Sequence, residues 1–506
     1  MKILLATIPP WFPNQPYLSI PLLTGVIKKE GYAVTQKDIN LSFFDNLLTE
    51  QELACQYDYF EKNKNQSIKR EYELLIETKE HFLSKVQAHK ATVRRLESYQ
   101  EKNVATESFQ EIDLALKIFG LNFPDTILSL GGVEYTFNHL NAKTAIEFAC
   151  KDNIFSYYFK KYELAGYIRQ QPDVVGFSIT SPEQLIPALS FSKVLKANLP
   201  NVQIILGGAY ISHVAYFLML YATFNNLINF ILCGNSEKSI VTFFDILNNR
   251  SDDFSKVPEL IYKENNKVLK TNGQTNVKEI YENIALPDFD ELSLNKYFFP
   301  VVQLPIEISK ACYWGKCKFC ELKGLQYAEK TVDMILDELQ SLATKYGIKY
   351  FSFVSASPSP KLLHKIATKI TDNKLDIRWS SMIRIENGID ETFAKKLFDG
   401  GMRVAMIGFE SGSQSVLNKM DKGEKVEINE KTLHNLSKAG INIHAYFMLG
   451  FDGETDNDVE QTIAFINRNE SYIDSLGCSY YSPINKKITE ENISIYANNQ
   501  QDRIKV

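Results

Sequence analysis

The sequence predicts an α/β protein built of a doubly wound domain followed by an open, six-stranded (β/α) barrel, with a helical insertion in the first. Three observations carry this. Short apolar runs such as KILLAT, DVVGFSI and VQIILGG lack polar alternation, the pattern of strands buried on both faces. Helical stretches alternate with these runs, which is the rhythm of parallel α/β folds. One long segment rich in Lys, Glu, Gln and Leu breaks the rhythm, with apolar residues at helical spacing.

In chain order, the doubly wound domain is expected over residues 1–247. KILLAT is its first strand. PYLSIPLLTGVIKKEGY reads as a loop feeding a helix that ends at Gly31, and AVTQKDINL as the second strand. Residues 46–170 form the expected helical insertion, with a short coiled-coil hairpin as the alternative for its first half. From Pro172 the α/β rhythm returns: DVVGFSI, the helix PEQLIPALSFSKVLKANL, VQIILGG, a further helix, then NFILCGNSE. Residues 248–300 are a connector. Within it PELIYKENNKVLKTN reads as a hairpin turning at ENNK, and LPDFDELSLNKYFFP as an ordered linker lying on a neighbouring domain. Residues 301–483 supply six strand candidates separated by helices: PIEIS, YFSFVSA, IRWSSMI, VAMIGFE, INIHAYFML and GCSYYSP. The polar stretch 484–506 reads as a loose tail or the remnant of something truncated.

Composition narrows the function classes. The chain has 506 residues, 44% hydrophobic and 23% charged, with a formal net charge of -5. That is ordinary globular composition, and it lacks the basic footprint of a nucleic-acid binder. No clean run of about 20 apolar residues marks a membrane span. The N-terminus reads as a buried strand, because no small-residue cleavage site follows it. A cytoplasmic protein without nucleic-acid or membrane partners is expected. Seven cysteines are too few and too unevenly spread for a disulfide framework. Cys55, Cys150, Cys233 and Cys478 stand alone and read as small hydrophobes.

The other three sit in ISKACYWGKCKFCELKG, residues 308–324, with the spacing Cys312-x4-Cys317-x2-Cys320. Three thiolates on one loop can hold three irons of a 4Fe–4S cubane and leave the fourth iron open to chelate a substrate. The loop follows a strand and precedes a helix, so it belongs at a strand C-terminal mouth, where parallel α/β folds carry their active sites. The bland alternative is a zinc loop with a remote fourth ligand or three incidental thiols; zinc ordinarily takes four ligands, and the loop holds no His.

Three further segments sit at expected strand ends. VAMIGFESGSQSVLNKMDKG (404–423) places Glu410 and Ser411 where a strand turns into a helix. A carboxylate there can accept from a ribose diol; the plain reading is a helix cap by Ser411 or Ser413. IRWSSMIRIENG (377–388) places Ser381 and Arg384 at a strand end. Arg384 can form a bidentate pair with a carboxylate, or a surface salt bridge to Glu386. YFMLGFDGETDNDVE (446–460) reads as a strand-to-helix turn with an acidic first helical turn.

The cysteine segment resembles the signature loop of the radical S-adenosylmethionine (SAM) superfamily. That loop reads Cys-x3-Cys-x2-Cys with an aromatic before the last Cys, the place of Phe319. This chain departs from it by one extra residue between the first two cysteines. The resemblance implies that Cys312, Cys317 and Cys320 hold a 4Fe–4S cluster. It also implies that Phe319, Ser381, Arg384, Glu410 and Ser411 line the SAM site. The GGE-like segment usual after the second barrel strand is replaced by VSASPSP, so the contact to the SAM amino group has no assignment, and the fifth-strand segment has Asp452 where the family has Pro. No side chain is assigned as a catalytic acid or base.

GFSITSPEQL (176–185), ILGGAY (205–210) and CGNSEKS (233–239) each place Gly or Ser at a strand C-terminus, where backbone can approach a ligand. In this order before such a barrel they resemble the Rossmann-like cobalamin-binding domain of cobalamin-dependent radical SAM proteins. Asn40, Ser178, Thr180, Ser181, Gly207, Gly208, Ala209 and Gly234 are then the expected cobalamin contacts. The family's Asp-x-His motif is replaced by Asp38-Ile39-Asn40. Asn40 thus stands at the place of the missing histidine, and cobalamin without histidine ligation is implied. The alternative is a scaffold that binds nothing.

The resemblance implies methylation of an unactivated carbon of a small-molecule or peptide substrate, with methylcobalamin as the methyl donor and flavodoxin or ferredoxin as the electron donor. A rearrangement or cyclisation without methyl transfer, and a cobalamin or iron–sulfur binding protein without turnover, are the alternatives.

Overall fold

The computed structural model describes residues 1–63, 70–249, 251, 253–273, 276–281 and 284–481. The expected tail at 484–506, and the end of the sixth barrel strand at 482–483, lie outside them. Two compact units form: residues 1–273 with 284–302, and residues 276–281 with 303–481.

The first unit is organised by one sheet. Its strands are β1 (Ile3–Thr7), β2 (Val34–Asp38), β5 (Val174–Ser178), β6 (Gln203–Gly207), β7 (Phe230–Leu232), β8 (Leu260–Glu264) and β9 (Lys267–Lys270); β3 (Thr126–Ser129) and β4 (Gly132–Tyr135) pair separately. The sheet order is β2-β1-β5-β6-β7-β8-β9. The first five strands are parallel, and β8 and β9 add antiparallel. Counting only the parallel strands this is the order 2-1-3-4-5, a doubly wound sheet whose topological switch lies between β1 and β5.

The continuous apolar runs follow from burial on both faces. On β1, Leu4 and Ala6 join a core with the helical insertion, while Ile3 and Leu5 join a second core with Ile20, Ile27, Phe243 and Phe244. The insertion therefore shares the sheet's core and is no free-standing coiled coil. It contains the helices Glu50–Lys62, Lys79–Val93 and Val104–Lys117 among others. It also contains the β3–β4 hairpin, which the helical reading missed. Four-residue strands leave too little alternation to announce themselves.

Two local readings change. The second strand stops at Asp38, short of the expected Leu41, because the Asp38 side chain accepts from Leu41 N at 2.8 Å and caps the helix Ile39–Leu47. The hairpin in the connector turns at Asn265 and Asn266, both left-handed, and pairs with β7 as part of the first sheet. The LPDFDELSLNKYFFP strap lies along the same unit: Asp288 N donates to Pro21 O at 2.9 Å and Tyr297 Oη to Asp38 Oδ2 at 2.6 Å.

The second unit carries β10 (Leu304–Ile306), β13 (Tyr350–Phe353), β14 (Arg378–Met382), β15 (Met402–Glu410), β16 (Asn442–Leu449) and β17 (Ser475–Tyr480). They are ordered β10-β13-β14-β15-β16-β17 and all parallel. Sequential neighbours joined by helices are the expected (β/α)6 arrangement. A small hairpin of β11 (Ser309–Lys310) and β12 (Ala328–Glu329) closes the loop that follows β10. Among the described residues no helix is long and apolar enough to cross a membrane.

Candidate active site

The cysteine loop leaves the C-terminal end of β10, and the β11–β12 hairpin pins its two ends. The segment after β13, VSASPSP, braces it from beneath. Ser355 Oγ accepts from Ile308 N at 3.1 Å and Ser309 N at 2.9 Å, and Tyr313 N donates to Ser357 O at 3.4 Å. The residues standing in place of a GGE-like segment thus hold the loop's backbone. Ala311 and Gly315 both take left-handed conformations, which lets the loop double back so that Gly324 N reaches Gly315 O at 3.0 Å.

Cys312, Cys317 and Cys320 are half-buried and free. Burial pushes the Cys317 thiol up to about 11, against the pull of Lys422 and Arg384; burial also raises Cys320. The three thiols are near enough to act on one another's charge, Cys312 and Cys320 raising Cys317 and Cys312 raising Cys320. A cubane, in which each thiolate takes its own iron, suits three thiols on one loop. The three-thiol donor set fits the cluster.

Beside Cys317 lies a buried charge cluster. Arg384, at the end of β14, stacks its guanidinium 4.1 Å from the Trp314 ring centroid and donates to Lys422 O. It stands 3.5 Å from Glu424 and 3.7 Å from Glu386. Lys422 Nζ lies 3.5 Å from Glu410 and 3.6 Å from Glu424. Burial would depress the Lys422 ammonium, but Glu424, Glu410 and the Cys317 sulfur outweigh it and hold the pKa above the ordinary lysine value. The salt bridge to Glu386 weighed from the sequence is present, alongside stronger anchoring to Trp314 and Lys422.

Glu410 ends β15 at a register shift and has φ +63°. Its carboxylate folds over Gly408, where any Cβ would overlap it. Left-handed backbone at a non-glycine residue, held by a buried lysine, is strain kept at one position. Ser411 is buried, its hydroxyl sharing a hydrogen bond with Thr462 Oγ1 at 3.0 Å and accepting from Ser413 N at 3.1 Å. Ser413 stands at the start of the helix Gln414–Lys419 without capping it; its hydroxyl goes to Asp458 at 2.5 Å. The capping alternative therefore fails for both serines. Ser381 is fully buried and donates to Met382 O. Phe319 packs against the cluster of Val416, Met420 and Phe451. In the fifth-strand segment, Thr455 and Asp458 form a capping box, which gives the acidic first turn its structural reason.

The sequence reading missed Trp314, Lys422, Gly423 and Glu424. They join the cysteine loop to the turn after the helix Gln414–Lys419: Trp314 Nε1 donates to Asp421 O at 3.1 Å and Lys318 N to Met420 O at 2.8 Å. Gly423 has φ +69° and leaves the space the Trp314 indole fills. The signal was the Lys-Gly-Glu turn itself, which by sequence reads as surface. Gly423→Ala is expected to unseat Trp314, destabilising the second unit by about 1–3 kcal/mol. A red-shifted tryptophan fluorescence and a lower melting temperature check it.

In the first unit the strand ends meet at the switch point. Ser19 Oγ donates to Ser178 Oγ at 2.8 Å. Gln184, also unforeseen, ties the loop after β5 to that after β1. It accepts from Thr180 N at 2.8 Å and Ser181 N at 3.3 Å, and donates to Ile8 O at 2.8 Å. Gly207 and Gly208 are half-buried; Ala209 and Gly234 are exposed. Gly208 has φ +116° and presses against the Ile179 backbone, so packing alone demands glycine there. Ser212 Oγ joins the two turns, accepting from Gly234 N at 3.1 Å and donating to Gly208 O at 2.7 Å. Asn40 is buried, with both ends of its amide on the Trp11 backbone at 2.8 Å. It shapes the loop after β1.

The family model of the radical SAM superfamily matches residues 306–466. An uncharacterized methyltransferase of Pyrococcus horikoshii is 27% identical over 314 residues, 60% of this chain and 66% of that one. The radical SAM methyltransferase TsrM from Kitasatospora setae, solved with cobalamin and a [4Fe-4S] cluster bound, superposes with a TM-score of 0.55 at 13% identity. That match covers 95% of this chain and 74% of that one. The cobalamin-dependent SAM radical enzyme OxsB, solved with aqua-cobalamin and SAM, gives 0.58 at 14% identity over 97% of this chain and 54% of that one. The chain thus spans about two-thirds or less of the P. horikoshii relative and of OxsB. Residues 306–466 thus match the radical SAM superfamily model, and the chain shares the fold of these solved structures.

Proposed function

We propose that the protein is a cobalamin-dependent radical SAM methyltransferase acting on an unactivated carbon of a small-molecule or peptide substrate. The observation that carries this is the trio of half-buried, free thiols on the loop after β10, with Lys422 and Arg384 near Cys317. In this reading Cys312, Cys317 and Cys320 would hold a 4Fe–4S cluster, and Ser178, Thr180, Ser181, Gly207, Gly208, Ala209 and Gly234 would border cobalamin. When bound, the cluster supplies the electron that cleaves SAM, and the cobalamin supplies the methyl group.

The chain's own residues bind and orient. Glu410 presents a carboxylate 3.5 Å from Lys422 Nζ, suited to accept from a ribose diol. Phe319 offers an apolar face. Arg384 holds the Trp314 side of the cysteine loop. Ser381 and Ser411 spend their hydroxyls within the protein, so they shape the wall through their backbone. All seven cysteines are free, which suits a reducing cytoplasm with flavodoxin or ferredoxin as electron donor.

The test is anaerobic reconstitution followed by iron and cobalt analysis and a SAM turnover assay. Expected are about four irons and one cobalamin per chain, with 5′-deoxyadenosine and S-adenosylhomocysteine both formed. Deoxyadenosine without homocysteine product would instead favour rearrangement or cyclisation. Protein that takes up iron but neither binds cobalamin nor turns SAM over would sink the proposal.

A further inference from the structure

The insertion carries a cluster of metal-ligating side chains that the radical SAM reading does not use. His81 and His89 sit two turns apart on the helix Lys79–Val93, and Glu111 on the helix Val104–Lys117 packed against it. One ligand atom from each lies within 4.8 Å of the others. His81 Nε2 is 2.9 Å from Glu111 Oε2.

His89 supplies the independent observation. Its Nδ1 is engaged by Ser108 Oγ at 3.3 Å, while its Nε2 is buried with no hydrogen-bond partner. A buried, unpartnered imidazole nitrogen costs free energy unless something fills its place. A hydroxyl on the far ring nitrogen is the outer-shell arrangement that fixes a metal-bound histidine's tautomer and orientation. The side chains of His81 and Glu111 are 47% and 31% exposed, which leaves an entry path and room for water as a fourth ligand.

The geometry points to a zinc-class divalent metal site formed by His81, His89 and Glu111, clamping the two helices of the insertion together. Two imidazoles and one carboxylate are a zinc donor set that leaves one position open. The site is separate in chemistry from the cysteine loop: nitrogen and oxygen donors against sulfur.

The probe is Zn²⁺ itself, added to full-length protein whose cysteines already hold their cluster. Equilibrium dialysis with metal analysis should show one zinc per chain above the cluster iron, with iron unchanged. His89→Ala and Glu111→Gln should each weaken zinc binding at least tenfold, and Ser108→Ala about tenfold, as outer partners do. Zinc should also raise the melting temperature of the wild type and not of Glu111→Gln, a partly exposed position whose change leaves packing intact. No zinc uptake, uptake only with matching loss of iron, or wild-type affinity in both His89→Ala and Glu111→Gln would overturn the assignment.

Discussion

Cys317→Ala should remove the cluster and, with it, SAM cleavage. The variant is expected to retain little of the iron that the reconstituted wild type holds. Deoxyadenosine formation should fall by at least about a hundredfold, past the 10–100-fold that outer-shell partners of a metal site carry. Iron analysis and product quantification check both. Cys55→Ala and Cys478→Ala, at exposed positions remote in sequence from the loop, should match the wild type. Cys317 is the sharpest choice because burial holds its thiol at about 11 while Lys422 and Arg384 pull the other way. At neutral pH the metal-free thiol is protonated, and iron must displace that proton. Affinity for iron therefore rises with pH below about 11. Iron retained against a chelator should be greater at pH 8.5 than at pH 6.5.

The parts of this site that the sequence exposed are those where spacing or periodicity forces the chemistry. Three cysteines in nine residues have few other uses. Apolar runs in KILLAT and DVVGFSI must be buried on both faces, and the structure sorts Leu4 from Ile3, and Ala6 from Leu5, onto opposite layers of the first sheet. What stayed hidden depends on long-range placement. Lys422 and Glu424 read as an exposed Lys-Gly-Glu turn; only the docking of Trp314 into the space left by Gly423 buries them. Gln184 reads as a helix-start residue, yet it spans 176 positions to reach Ile8 O. Asn40 shows the converse. Its place in the motif suggests a ligand contact, and the fold shows a structural role the motif did not announce: Oδ1 accepts from Trp11 N and Nδ2 donates to Trp11 O. A residue's chemistry is legible from sequence, but its availability depends on what the fold has already bonded it to.

Lys422→Met tests that lesson most directly, because the side chain is 7% exposed and sits between two carboxylates. Methionine fills a similar volume without the charge, so Glu410 loses its Lys422 partner while Glu424 keeps Arg384 at 3.5 Å. Breaking a buried pair from one side costs roughly 3–5 kcal/mol. For a domain of this size, that lowers the melting temperature of the second unit by on the order of 10 °C. The double variant Lys422→Met/Glu410→Gln removes the stranded charge and should recover part of that loss, a coupling that distinguishes electrostatics from packing. The pH dependence has a fixed sign. A lysine whose folded pKa is raised contributes stability that is present below its unfolded value near 10.5 and lost as pH rises through the folded value. Wild-type protein should lose stability above about pH 10.5 more steeply than Lys422→Met. An unchanged melting temperature with the same alkaline slope would mean that Lys422 is not the counter-charge of Glu410. The left-handed carboxylate at the end of β15 would then have to owe its placement to the Gly408 bulge alone.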